Sequence, residues 1–99
     1  MTVYVDNMAA RYRGMLMCHM IADSADELHA MADRIGVARK WYQRNHYDIS
    51  QTKRRLALAA GAVSITWRDC SLMTVLRRRD ANAPLLTPAE GLEWLRRQP

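Results

Sequence analysis

The side chains of this chain best suited to chemistry are imidazoles and carboxylates, and they fall in three short groups. Asp6 stands alone; His19 precedes Asp23 by four positions; His46 and Asp48 flank Tyr47 in the stretch Arg44-Asn45-His46-Tyr47-Asp48-Ile49-Ser50. Gathered at one mouth, such groups hold a divalent metal, or act as general base and acid once burial and neighbouring charge shift their pKa values. His46 and Asp48 lie two positions apart, so in an extended segment both point to the same side. Catalytic roles fall to His46, Asp48 and His19; metal ligation to His19, Asp23, His46 and Asp48.

Elements must bring these groups together. Thr2-Val3-Tyr4-Val5 is β-rich and ends in the turn formers Asp6-Asn7, which predicts a strand at 2–5. Met15 to Ala22 is apolar on both alternating faces apart from His19, as in a central strand covered on both sides. Ser24 with Glu27 makes a capping box, and Leu28, Met31, Ala32 and Ile35 follow at helical spacing up to Gly36. A loop from Val37 to Asn45 leads to a strand at 46–49 and to a helix over 51–60 capped by Ser50 and ended by Gly61. The run 62–67 reads as a strand, the return half of a βαβ unit. A helix over about 69–78 should bury Leu72, Val75 and Leu76. After a loop at 80–86, Thr87, Pro88 and Glu90 start a last helix. The expected fold is a single α/β domain over 1–99 with a mostly parallel sheet of about four short strands flanked by three to four helices. In such sheets ligands bind beyond the carboxyl ends of strands, where Asp6, Asp23 and Asp48 would then converge.

With 15 Lys+Arg against 10 Asp+Glu the net charge is +5, and such a surface attracts phosphates. Arg11, Arg13, Lys53, Arg54 and Arg55 can form a phosphate clamp, and Trp41, in a polar loop beside basic residues, can stack a ring. A phosphorylated ligand, plausibly a nucleotide, follows, with Asp6, Asp23, His29 and Tyr47 also lining its site; the cofactor implied is a divalent metal. There is no HExxH, EF-hand loop, P-loop or GxGxxG. Each residue also has a plainer role. Asp23 and Asp48 precede helix starts, where carboxylates favour the dipole; His19 and His29 suit hydrogen-bonded packing; Tyr47 suits a packed aromatic. Met15, Met17, Met20 and Met31 read as adaptable core filler. Two cysteines, Cys18 and Cys70, exclude a disulfide framework and point to a reducing cytoplasm; no apolar run approaches the ~20 residues needed to span a bilayer.

Four pieces, "VYVD" at 3–6, "CHMIADSADELHAMADRIG" at 18–36, "HYDIS" at 46–50 and "KRRLALAAGAV" at 53–63, resemble in order and spacing a short family of bacteria and their phages, domain of unknown function 4031. The resemblance implies that His19, Asp23, Glu27, His29, His46, Tyr47 and Asp48, with Asp6 at their head, form the family's shared polar set. It implies no activity. Two other functions compete with metal-assisted phosphoester hydrolysis or ligand binding. One is a phage or bacterial accessory or anti-defence protein docking on a host protein or nucleic acid through Arg77, Arg78 and Arg79. The other is a homo-oligomer joined through exposed Met and Trp residues.

Overall fold

The computed structural model describes residues 2–78 and 83–98. Its strands are β1 (Val3–Val5), β2 (Ala10–Tyr12), β3 (Met15–Ala22), β4 (Tyr42–Gln43), β5 (His46–Ser50) and β6 (Val63–Ser64). Its helices are α1 (Ala25–Ile35), α2 (Gln51–Ala59), α3 (Trp67–Arg77) and α4 (Pro88–Arg96). Arg79 and the first part of the expected loop, 80–82, lie outside the described residues.

The sheet runs β4-β5-β3-β1-β6, with β2 on β3 as well, and it is mostly antiparallel. Among the described residues only β1 and β6 pair in parallel; β1–β3, β2–β3, β3–β5 and β4–β5 are antiparallel. The expected mostly parallel sheet is therefore corrected, and two tight hairpins are the reason. Arg13 (φ 48°) and Gly14 (φ 78°) turn β2 into β3 with both central residues left-handed, as a two-residue primed turn requires. Arg44 (φ 62°) turns β4 into β5. The crossover from β3 through α1 thus lands on β4, and the second hairpin inserts β5, reversed, between β4 and β3.

β3 pairs with β5 along one edge, while β1 and then β2 follow each other along the other. On one face Val5, Cys18, Met20, Tyr47 and Ile49 meet Leu28, Ala32 and Ile35 of α1 and Ala57 of α2. On the other face Tyr4 and Ile21 meet Ile65, Leu85 and, from α3, Cys70 and Met73. α3 lies over β1 and the end of β3, so the β5 side of that face stays partly open. The expected covering of β3 on both faces holds only for its second half.

The caps expected at Ser24, Ser50 and Thr87 form, but Glu27 Oε1 accepts from the Ser24 hydroxyl and not from its backbone N–H, so the box expected there is half made. Ser24, Ser50, Thr66 and Thr87 each accept from the backbone N–H three residues on, and Thr87 with Glu90 completes a capping box. The Thr66 cap starts α3 two residues earlier than expected, so Trp67 is helical rather than the end of a strand, and β6 is only two residues long. That start turns Cys70, Met73 and Leu76 inward and leaves Val75 exposed, correcting the expected stripe. Gly36 closes α1 at φ 80°. Gly36→Ala should cost about 1 kcal/mol, because a Cβ is strained in that conformation; a denaturant titration measures it.

Candidate functional site

Between β1 and β2 the chain leaves the edge of β3, and the backbone N–H of His19 loses its strand partner there. Asp6 supplies the replacement: its Oδ1 accepts from His19 N at 2.8 Å and from Met8 N at 3.2 Å, while its own N–H donates to His19 O at 3.0 Å. Its Oδ2 accepts from His19 Nδ1 at 2.7 Å. The carboxylate is fully buried. Burial pushes the Asp6 carboxyl up, but the hydrogen bonds from the His19 ring and backbone, the charge of that ring and the Met8 N–H hold it below its ordinary value. In return the Asp6 hydrogen bond, opposed by burial and helped by the Asp6 and Asp48 charges, raises His19.

Across the strand pair, Asp48 sits directly opposite His19, and His46 projects from the same face of β5. His19 Nε2 lies 3.8 Å and His46 Nε2 3.3 Å from Asp48 Oδ1, and the two rings meet edge to face with centroids 5.3 Å apart. Asn45 Oδ1 lies 2.8 Å from His46 Nδ1, and Gln43 Nε2 donates to Asp48 Oδ2 at 2.9 Å. Burial holds the His46 pKa down, against the pull of the Asp48 charge. A carboxylate only accepts, so Asp6 fixes the proton of neutral His19 on Nδ1 and leaves Nε2 bare. Asn45, as acceptor, does the same for His46. Two bare imidazole nitrogens and a carboxylate oxygen thus converge, all within 4.8 Å of one another. Such lone pairs repel unless a proton or a cation lies among them.

The sequence readings sort themselves on this geometry. Asp6, His19, His46 and Asp48 come together. Asp23 does not, because β3 runs opposite to β1 and ends at the far edge of the sheet, where Asp23 accepts from Thr2 N and Leu85 N. His29 and Tyr47 lie on the α1 face, where His29 Nδ1 and the Tyr47 hydroxyl are 2.6 Å apart and Tyr42 packs on the imidazole. Arg54 is held by Asp6 O (2.8 Å) and Ser64 Oγ (2.9 Å), clasping β1 to β6. Arg55 reaches Thr52, and Arg13 lies over the Tyr12 ring. Arg77, one of the proposed docking cations, donates to Ala22 O and Asp23 O.

Arg11, Lys53 and Trp41 share a groove of about 750 Å³ that His19 and Asp48 also line. Met15 and Met17 line it too; neither is core filler, whereas Met20 is fully buried. Gln43 and Asn45 escape a sequence reading, although both stand immediately before His46-Tyr47-Asp48. So does Cys70, which α3 brings to Asp6 and His19 and whose thiol burial pushes up to about 12. Cys18, also free, is buried on the opposite face and likewise pushed up to about 12 by burial.

Among the described residues no helix is long and apolar enough to cross a membrane. No curated protein and no solved structure matches the chain. A family model matches residues 3–79, a span that carries Asp6, His19, His46 and Asp48 and ends before α4. The chain belongs to the family described as protein of unknown function DUF4031.

Proposed function

We propose that the chain holds a divalent metal ion through His19 Nε2, His46 Nε2 and Asp48 and uses it on a phosphorylated small molecule, with phosphoester hydrolysis as the reaction. One observation carries this reading: three lone-pair atoms converge while each imidazole's other nitrogen is committed to a partner, Asp6 or Asn45. Ligands on a tetrahedral ion with bonds of about 2.0–2.1 Å stand roughly 3.3 Å apart. The His46–Asp48 separation of 3.3 Å has that value, and the His19–Asp48 separation of 3.8 Å needs a small ring rotation to reach it. Two nitrogens and one oxygen suit Zn²⁺, Mn²⁺, Fe²⁺ or Co²⁺, and three protein ligands leave coordination positions for water and substrate.

The protein's own contribution is orientation. Asp6 sets the tautomer and angle of His19, Gln43 steadies Asp48, and Arg11 and Lys53 favour an anion in the adjoining groove. An ion so held supplies Lewis acidity toward a phosphoryl oxygen. The test is turnover of p-nitrophenyl phosphate by the full chain loaded with Zn²⁺ or Mn²⁺. The expected result is metal-dependent release of nitrophenolate that falls to background in His46→Ala. Metal retention with no turnover of any phosphoester would refute the hydrolysis and leave a metal-dependent binder.

A further inference from the structure

The groove beside the His/Asp cluster has features that a bare phosphate would not use. Among the described residues its charged lining is Arg11, Lys53, His19 and Asp48, with Asp48 the single acid. Arg11, paired with Leu16, faces the side of β3 that carries Cys18, while His19 and Asp48 face the other, so the groove's two cations suit an anion beside the cluster and not within it. Much of the rest of the wall is apolar and aromatic, with Met8, Tyr12, Met15, Met17, Val37 and Trp41. Four of these, Met8, Tyr12, Met15 and Trp41, are among the chain's exposed large apolar side chains, with Trp41 at 47% exposure. These four share one concavity, a face that a flat apolar group would dry. Lys40 lies over the Trp41 ring, 5.2 Å from its centroid, adding positive charge beside the indole. A volume of about 750 Å³ accommodates a molecule the size of a mononucleotide.

We infer that the ligand of this groove is a phosphate ester carrying a planar aromatic ring, of the nucleotide class, with its phosphate toward Arg11 and Lys53 and its ring against Trp41, Tyr12 and the methionines. This rests on the proposed reading of a phosphorylated ligand beside the His/Asp cluster. Trp41 and Tyr12 offer stacking faces, which accept any base, and Met thioethers pack favourably at ring edges. Arg11 and Lys53 distinguish the ester from the uncharged nucleoside.

The test is calorimetric titration of the Zn²⁺-loaded full chain with adenosine 5′-monophosphate, adenosine and ribose 5-phosphate, after elemental analysis of the same sample. The monophosphate should bind at least about tenfold more tightly than either fragment. Trp41→Ala should weaken it by about tenfold or more, while Trp41→Phe, which keeps a stacking face, should restore most of the affinity. Arg11→Ala with Lys53→Ala should weaken the monophosphate and leave adenosine unchanged. Equal binding of ribose 5-phosphate and the monophosphate, or indifference to Trp41→Ala, overturns the inference. If the ion is retained and the monophosphate does not bind, this inference fails alone. If the monophosphate binds in this ring- and phosphate-dependent way and no ion is retained, it stands and the metal reading fails.

Discussion

Asp6→Asn is expected to leave the protein folded and to lower its affinity for a divalent metal by about 10–100-fold, the usual size of a lost carboxylate–histidine partnership. Asparagine keeps an oxygen for the N–H groups of His19 and Met8, so the gap between β1 and β2 stays satisfied. Its amide nitrogen, however, donates where the carboxylate accepted. His19 Nδ1 must then become an acceptor, and the ring proton moves to Nε2, the atom that would ligate the ion. Asp6→Ala has a different signature, because two backbone N–H groups lose their partner at about 1–3 kcal/mol each. Metal titration of both variants alongside chemical denaturation separates orientation from folding.

The same pair fixes a pH dependence in the metal-free protein. His19 is raised, so its contribution is complete below its ordinary value of 6.5 and is lost as pH rises through the higher folded value. Asp6 is lowered, so its contribution is complete above its ordinary value of 3.8 and is lost as pH falls through the lower folded value. The stability difference between the original protein and Asp6→Asn should therefore be largest between those two values and shrink on either side.

The second large effect falls on Tyr47, which sits between His46 and Asp48 in the chain and on the opposite face of the sheet. Among the described residues it is the largest fully buried side chain, packed among Met20, Ile49 and the α1 residues. Tyr47→Ala should cost about 3–5 kcal/mol. Tyr47→Phe removes only the hydroxyl next to His29 Nδ1 and should cost about 1–3 kcal/mol through the buried imidazole left without that partner. Neither loss concerns the ion: metal affinity of Tyr47→Phe, measured under native conditions, should match the unsubstituted protein. A parallel loss of metal would mean that Tyr47 acts on the cluster and not on the core.

The alternation in β5 explains what was legible. Period-two spacing alone puts His46 and Asp48 on one face and Tyr47 on the other, and the burial of β5 follows that pattern. Caps made α1, α2 and α4 readable to within a residue or two, since Ser24, Ser50 and Thr87 act locally. Strand direction was not readable. Arg13 and Arg44 at left-handed turn positions carry little sequence signal, yet they reverse β3 and β5 and so decide which aspartates share an end of the sheet. Asp23 was misplaced for that reason alone. The groove is hidden for a related reason: its wall from Met8 to Met17 depends on β2, whose three exposed residues carry no strand pattern, although β3 itself is legible. Cys70 joins the cluster only through tertiary packing of α3, and no local pattern announces it.

X-ray absorption at the zinc edge, on the full chain loaded with Zn²⁺ and freed of excess by gel filtration, tests the metal centre most directly. The proposed centre predicts one ion per chain with two imidazoles and otherwise oxygen around it, and loss of that ion in the double variant His46→Ala, Asp48→Asn. No retained zinc, or the same zinc spectrum in the double variant, would contradict it.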